Sequence, residues 1–190
     1  PEIVLKKNQD RRLGLGHAWV YSNEVDVERT PLGNFAPGTL VNVARANGQI
    51  VGSAYVNPHS LICARLFSRQ ANVALDAAFC AERVANALRW RERALDAPYY
   101  RLVYGESDGL PGLIVDRHGD GLVAQLNTAG VDVARSAVIA ALVDVTKPRW
   151  ILLRNDTRAR EQEGLARGVE VAHGEVPESV DVWENGARFA

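Results

Sequence analysis

Two stretches of this 190-residue chain gather side chains whose types could do chemistry. In the first, Glu106, Asp108, Asp116, His118 and Asp120 lie close together along the chain. Carboxylates beside an imidazole can hold a hard cation or share acid–base work. The same stretch, however, is punctuated by Asp108-Gly109, Pro111-Gly112 and Gly119-Asp120-Gly121, and acidic residues favour turns because they bond to the nearby backbone. The turn reading is preferred, and no metal site is expected. The second stretch runs from Lys6, Lys7, Arg11 and Arg12 into Gly14-Leu15-Gly16-His17-Ala18-Trp19-Val20-Tyr21. Cations next to a histidine and a tryptophan can neutralise phosphates and stack an unpaired base. The competing reading makes Trp19 and Tyr21 core strand residues and His17 a turn residue. Gly14-x-Gly16 lacks the helix that a dinucleotide loop needs. Cys63 and Cys80 have no neighbouring base and no metal-ligand spacing, so packing is their expected role.

Composition bounds the setting for these groups. Apolar residues make up 47% and charged residues 24%, within the globular range. The apolar runs are too short for a membrane span, and the first residues open no secretory hydrophobic region. A cytoplasmic location and no membrane partner are therefore expected. The net charge is −1, but it is unevenly spread. Residues 1–70 carry eight Lys/Arg against five Asp/Glu, and the remainder is acidic. An electrostatic footprint for phosphates falls in the first third.

The elements that must position these residues differ along the chain. Residues 1–70 read as short strands between turn residues, clearest at Leu40–Arg45 and Gln49–Val56 around Asn47-Gly48, a type I′ hairpin signal. Further strands are expected at Ala18–Tyr21 and Leu61–Phe67, together a small barrel or sandwich. From Ala74 to Leu95 the apolar spacing becomes helical. Strands follow at Tyr100–Tyr104, Leu113–Asp116, Leu122–Leu126 and Arg149–Leu153, with helices near Val131–Val145 and after Thr157. Near the end, Val180–Trp183 reads as a strand, Asn185-Gly186 as a second type I′ turn, and Ala187–Ala190 as the start of a returning strand. The chain is accordingly expected to continue into a further domain.

Five motifs occur in order: Gly16 to Val25; Asn57-Pro58-x-Ser60 with Ile62 and Arg65; Gly105-Glu106-Ser107-Asp108-Gly109-Leu110-Pro111-Gly112-Leu113-Ile114-Val115-Asp116-Arg117; Arg154-Asn155-Asp156 with Glu163-Gly164-Leu165; and Glu184-Asn185-Gly186. Together they resemble the large-subunit ribosomal RNA methyltransferase I family, S-adenosylmethionine-dependent cytosine-5 methyltransferases. That resemblance implies an N-terminal PUA domain, a central α/β domain and a C-terminal Rossmann-like catalytic domain. The motifs of the last are not found here, so no catalytic or cofactor-binding residue is carried over.

The expected fold class is therefore α+β: a PUA-like β pseudo-barrel over residues 1–72 and a central α/β domain over 73–190, with the Rossmann-like methyltransferase domain absent. The expected function is the RNA-binding and central portion of such an enzyme, not itself catalytic. Its expected RNA-binding residues are Lys6, Lys7, Arg11, Arg12, His17, Trp19 and Arg65. No cofactor is expected within these residues, and S-adenosylmethionine is expected for the missing domain. Ribosomal RNA is the expected partner, DNA is not, and a homodimer is compatible. The alternative is a complete non-catalytic PUA-type RNA-binding or interaction protein.

Overall fold

A computed structural model describes residues 1–184 and 187–189; the expected turn at Asn185-Gly186 lies outside the described residues. The first sheet is built from β1 (Glu2–Val4), β2 (Trp19–Val20), β3 (Thr39–Ala44), β4 (Ile50–Val56) and β5 (Ala64–Ser68), in the order β1-β3-β4-β5-β2. β1 runs parallel to β3, and every other neighbouring pair is antiparallel. Its core gathers Ile3, Leu5, Val20, Val41, Val43, Val56 and Leu66. The period-2 alternation of β3 follows from this: Val41 and Val43 point inward while Leu40 and Asn42 do not.

The β3–β4 hairpin forms where Asn47-Gly48 signalled it, but its turn differs from the expected type I′. Only Gly48 adopts a left-handed φ, +87°. The Asn47 carboxamide instead accepts the amide N–H of Gln49 at 3.0 Å, and the longer loop closes with Gly48 N–H donating to Arg45 C=O. Asparagine satisfies its own turn through the side chain, so it need not enter the left-handed region.

Between the sheets, α2 (Ala77–Ala94) begins at Asp76, whose carboxylate accepts the Phe79 amide at 2.9 Å, and it buries Cys80, Val84 and Ala87 on one face. The second sheet comprises β6 (Tyr99–Tyr104), β7 (Leu113–His118), β8 (Gly121–Leu126), β9 (Trp150–Arg154) and β10 (Val169–Gly174), ordered β10-β9-β8-β7-β6. β8 and β9 are parallel and are joined through α3 (Ala129–Val133) and α4 (Arg135–Thr146). A parallel pair needs such a helical crossover because a tight turn cannot reverse the chain twice. The expected α+β class is corrected here: this layer holds a β–α–β unit, so the chain is α/β with a β-rich N-terminal sheet. α5 (Arg158–Gln162) precedes β10, a strand the sequence does not announce because Val169 and Val171 face solvent on the sheet edge. A small pair of strands, β11 (Val182–Glu184) and β12 (Ala187–Phe189), follows.

The two sheets share a core. Tyr55 and Phe67 from the first sheet cluster with Val84, Leu113, Leu126, Val138 and Leu153. Gly130 in α3 lies flat against Tyr55: a Cβ there would stand 2.1 Å from its ring, so only glycine permits this approach. Among the described residues no helix is long and apolar enough to cross a membrane.

Candidate nucleic-acid interface

The basic residues of the N-terminal stretch lie on one loop leading from β1 through α1 (Arg11–Gly14) to β2. Asn8 takes a left-handed φ of +66° and turns the chain there. Lys6, Lys7 and Arg11 are exposed; Lys6 donates to the Asn23 carbonyl at 3.0 Å, whereas Lys7 and Arg11 enter no ion pair among the described residues. Arg12 is committed differently. Its guanidinium donates to Glu24 at 2.7 Å and lies 4.8 Å from the centre of the Tyr21 ring. Glu24 is buried and accepts the Tyr21 amide with its second oxygen. The hydrogen bond from Arg12 itself to Glu24 holds its guanidinium above the usual arginine range. His17 is exposed, and Leu15 beside it is 76% exposed. Arg69, at the end of β5, braces the loop by donating to the carbonyls of Leu13 and His17 at 2.9 Å.

Trp19 and Arg65 face the junction of the two sheets rather than this loop. They sit opposite each other in the β2–β5 register, and the Arg65 guanidinium lies 5.5 Å from the centre of the Trp19 ring. The Trp19 indole N–H donates to Glu106 at 2.6 Å. Arg65 donates to Glu106 and to Glu163, each at 3.3 Å. Glu163 is buried and also accepts from the Asn57 carboxamide at 2.8 Å and the Ala129 amide at 3.3 Å. Beneath them, the buried Tyr55 hydroxyl donates to the Pro111 carbonyl at 2.8 Å and meets the Thr128 hydroxyl at 2.9 Å. Burial pushes the Tyr55 phenol well up, so it remains a neutral donor. Asn57, Arg65, Glu106, Pro111 and Glu163 come from three of the five motifs read in the sequence, and they meet as one clasp.

Glu106, Asp108 and Asp116 do not converge on one point. Glu106 joins Trp19 and Arg65; Asp108 makes two hydrogen bonds of 2.7 Å to Arg91 and accepts the Tyr104 amide; Asp116 pairs with Arg101. Three separate basic partners draw the three carboxylates apart. The thiols of Cys63 and Cys80 are fully buried, and burial pushes them up to about 12 and about 11. Neither is a thiolate at neutral pH.

Of the residues expected to touch RNA, the structure groups Lys6, Lys7, Arg11, Arg12 and His17 on the loop and places Trp19 and Arg65 at the clasp. Sequence reasoning missed Arg69, whose role is to hold loop carbonyls, and Tyr55, Asn57 and Glu163. Asn57 and Glu163 stood inside the quoted motifs, but nothing local in the sequence marked them as partners 106 residues apart.

A family profile described as a PUA-like domain matches residues 3–69. The chain is 35% identical to the ribosomal RNA large subunit methyltransferase I of Vibrio cholerae, over 100% of this chain and 48% of that protein. For the proteins of the same name from Cronobacter sakazakii and Aliivibrio fischeri the identities are 35% and 34%, covering 98% and 99% of this chain and 48% of each relative. The chain thus spans about half the length of the curated relatives it matches. Among solved structures, one assigned as a SAM-dependent methyltransferase of Streptococcus mutans superposes with a TM-score of 0.79 at 18% identity, over 99% of this chain and 47% of that one. Another, assigned as a methyltransferase and solved in complex with SAH, gives a TM-score of 0.80 at 18% identity with the same coverage. These likenesses complete the correction of the fold class. Because the match to methyltransferase chains runs through 99% of this one, the expected absence of a Rossmann-like methyltransferase domain is not supported.

Proposed function

We propose that this chain, which resembles ribosomal RNA large subunit methyltransferase I over its whole length, serves an S-adenosylmethionine-dependent methyltransferase of ribosomal RNA by holding the RNA. Residues 1–72 would form the PUA-like holding module and 73–190 the α/β module clasped to it. The observation that carries this reading is the loop bearing Lys6, Lys7, Arg11 and His17, exposed on the sheet that matches the PUA-like profile. Exposed cations without carboxylate partners are available to phosphates, and releasing the counterions of those phosphates drives binding. Arg12, held against Tyr21 by Glu24, adds a fixed cation at the same edge. Trp19 offers a flat aromatic surface, and Arg65 keeps it in place.

The methyl donor supplies an activated methyl group when bound. A parallel β–α–β unit offers such a ligand the turn after its first strand, here between β8 and α3. That turn does not fit it. The Glu163 carboxylate already accepts the Ala129 amide, and Tyr55 fills the space beside Gly130.

Fluorescence anisotropy with a folded ribosomal RNA fragment tests the reading. Reversing the charge at both Lys7 and Arg11 (to Glu) is expected to weaken binding by at least about tenfold, roughly 1.4 kcal/mol. Reversing the exposed Arg149, on the far sheet, is expected to change little. Equal losses from both changes would remove the loop from the interface.

A further inference from the structure

The clasp forms the floor of a cleft of about 580 Å³ between the sheets, lined among others by Trp19, Tyr21, Leu61, Arg65 and Gln162. This volume lies within the range of small-ligand sites. We propose that the cleft receives one unpaired nucleobase of the RNA, stacked on Trp19, while the phosphates remain outside on the basic loop. The proposal rests on the preceding reading for the source of the base, not for the stacking itself.

Four features carry it. Trp19 is 37% exposed although its indole N–H is tied to Glu106 and the Arg65 cation lies over the ring, so a rigid aromatic plate faces open space. Rigid plates of this kind stack bases whatever their sequence. On the lip, Leu61 is 69% exposed while its carbonyl is pinned by the Ser22 amide at 3.0 Å. An apolar side chain projecting into water from an anchored backbone suits the face or edge of a flat ring. The charge inside the cleft selects against phosphate: Glu106 and Glu163 outnumber the Arg65 guanidinium that joins them. A neutral base bearing amino groups is accepted there where an anion is repelled. Finally, the Gln162 carboxamide, the Ser60 hydroxyl and the His59 ring line the cleft and make no hydrogen bond among the described residues. They are polar groups with nothing yet to read.

A single-stranded RNA pentamer with 2-aminopurine at its centre, free or paired in a duplex, tests the proposal. Stacking on Trp19 is expected to quench the 2-aminopurine fluorescence of the single strand and leave the duplex unchanged. Trp19→Ala is expected to abolish the quench and weaken single-strand binding about tenfold. Gln162→Trp, placed at the exposed end of α5 to fill the cleft, is expected to do the same. Charge reversal at Lys7 and Arg11 should weaken paired and unpaired strands alike. Equal quenching of both strands or a quench surviving Gln162→Trp would each overturn the proposal. If no RNA binds and the Lys7 and Arg11 changes are silent, the RNA reading fails, and free adenosine followed by saturation-transfer NMR decides the cleft alone. Binding that Gln162→Trp removes supports a nucleobase site; no binding overturns it.

Discussion

The loop between β1 and β2 and the junction around Arg65 draw on similar residue types, arginines close to carboxylates and aromatic rings, and use them in opposite ways. On the loop, Lys7 and Arg11 project into water without carboxylate partners, and the one bound arginine, Arg12, answers a single buried Glu24. At the junction, the Arg65 side chain is only 13% exposed and the Glu163 side chain 5%, and each is bonded to more than one group. Charge in water is cheap to present and can be lent to a ligand. Charge out of water must be answered by the protein itself, and so becomes structure. Two arginines that look alike in a sequence therefore differ in purpose according to whether a carboxylate from a distant element reaches them.

The sharpest way to break this contrast is to remove one arginine from each region. Arg65→Ala leaves Glu106 and Glu163 without their shared cation. Glu163 keeps its bonds from Asn57 and Ala129, so the loss is expected at the low end for a broken buried pair, about 3 kcal/mol. Arg11→Ala should cost no more than about 0.5 kcal/mol, as at ordinary surface sites. Urea unfolding of the two variants measures both. Similar losses would mean that the loop is as structural as the junction.

A milder change probes the neutral half of the clasp. In Tyr55→Phe the ring still packs on Gly130, but the Pro111 carbonyl and Thr128 hydroxyl lose their shared partner. The expected loss is about 1.5 kcal/mol, because Thr128 stands 3.5 Å from the Pro111 carbonyl and recovers part of the bond. Thermal unfolding with and without Thr128→Val in the same background separates the two contributions. A loss as large as that of Arg65→Ala would place the strength of the junction in its hydroxyls rather than its charges.

Why the loop was readable in the sequence and the clasp was not has a physical cause. Clustering of Lys6, Lys7, Arg11 and Arg12 is local, and so is the Asn47-Gly48 turn; each acts within a few residues. The bonds from Asn57 to Glu163 and from Trp19 to Glu106 join positions far apart in the chain, which periodicity and spacing do not report. β10 escaped for a different reason: its apolar residues face solvent at a sheet edge, so its pattern lacks a buried face to betray it. The parallel β8–β9 pair, which changed the fold class, was likewise a matter of how strands pair and not of which residues form them.

The smallest expected effect is also the most specific to the loop. If Lys7 and Arg11 each neutralise one phosphate, the logarithm of affinity for RNA should fall with the logarithm of salt by about 0.7 per contact on a single strand. Replacing both with Ala should then flatten the slope by about 1.4, while at high salt, where the counterion gain has vanished, the affinities of variant and parent converge. Arg12→Ala should flatten it less, since much of its charge is answered by Glu24 at 2.7 Å, and should instead lower stability by leaving Glu24 buried without its cation. Arg149→Ala and Arg158→Ala, both exposed on the second sheet's side, should leave the slope unchanged. Anisotropy titrations across a salt series resolve these differences even where the loss at any one salt concentration is only a few-fold. A slope that follows Arg12 more than Lys7 and Arg11 would show that the arginine fixed against Tyr21, rather than the unpaired cations beside it, is what meets the phosphates, and the division between lent and committed charge would then have to be drawn inside the loop itself.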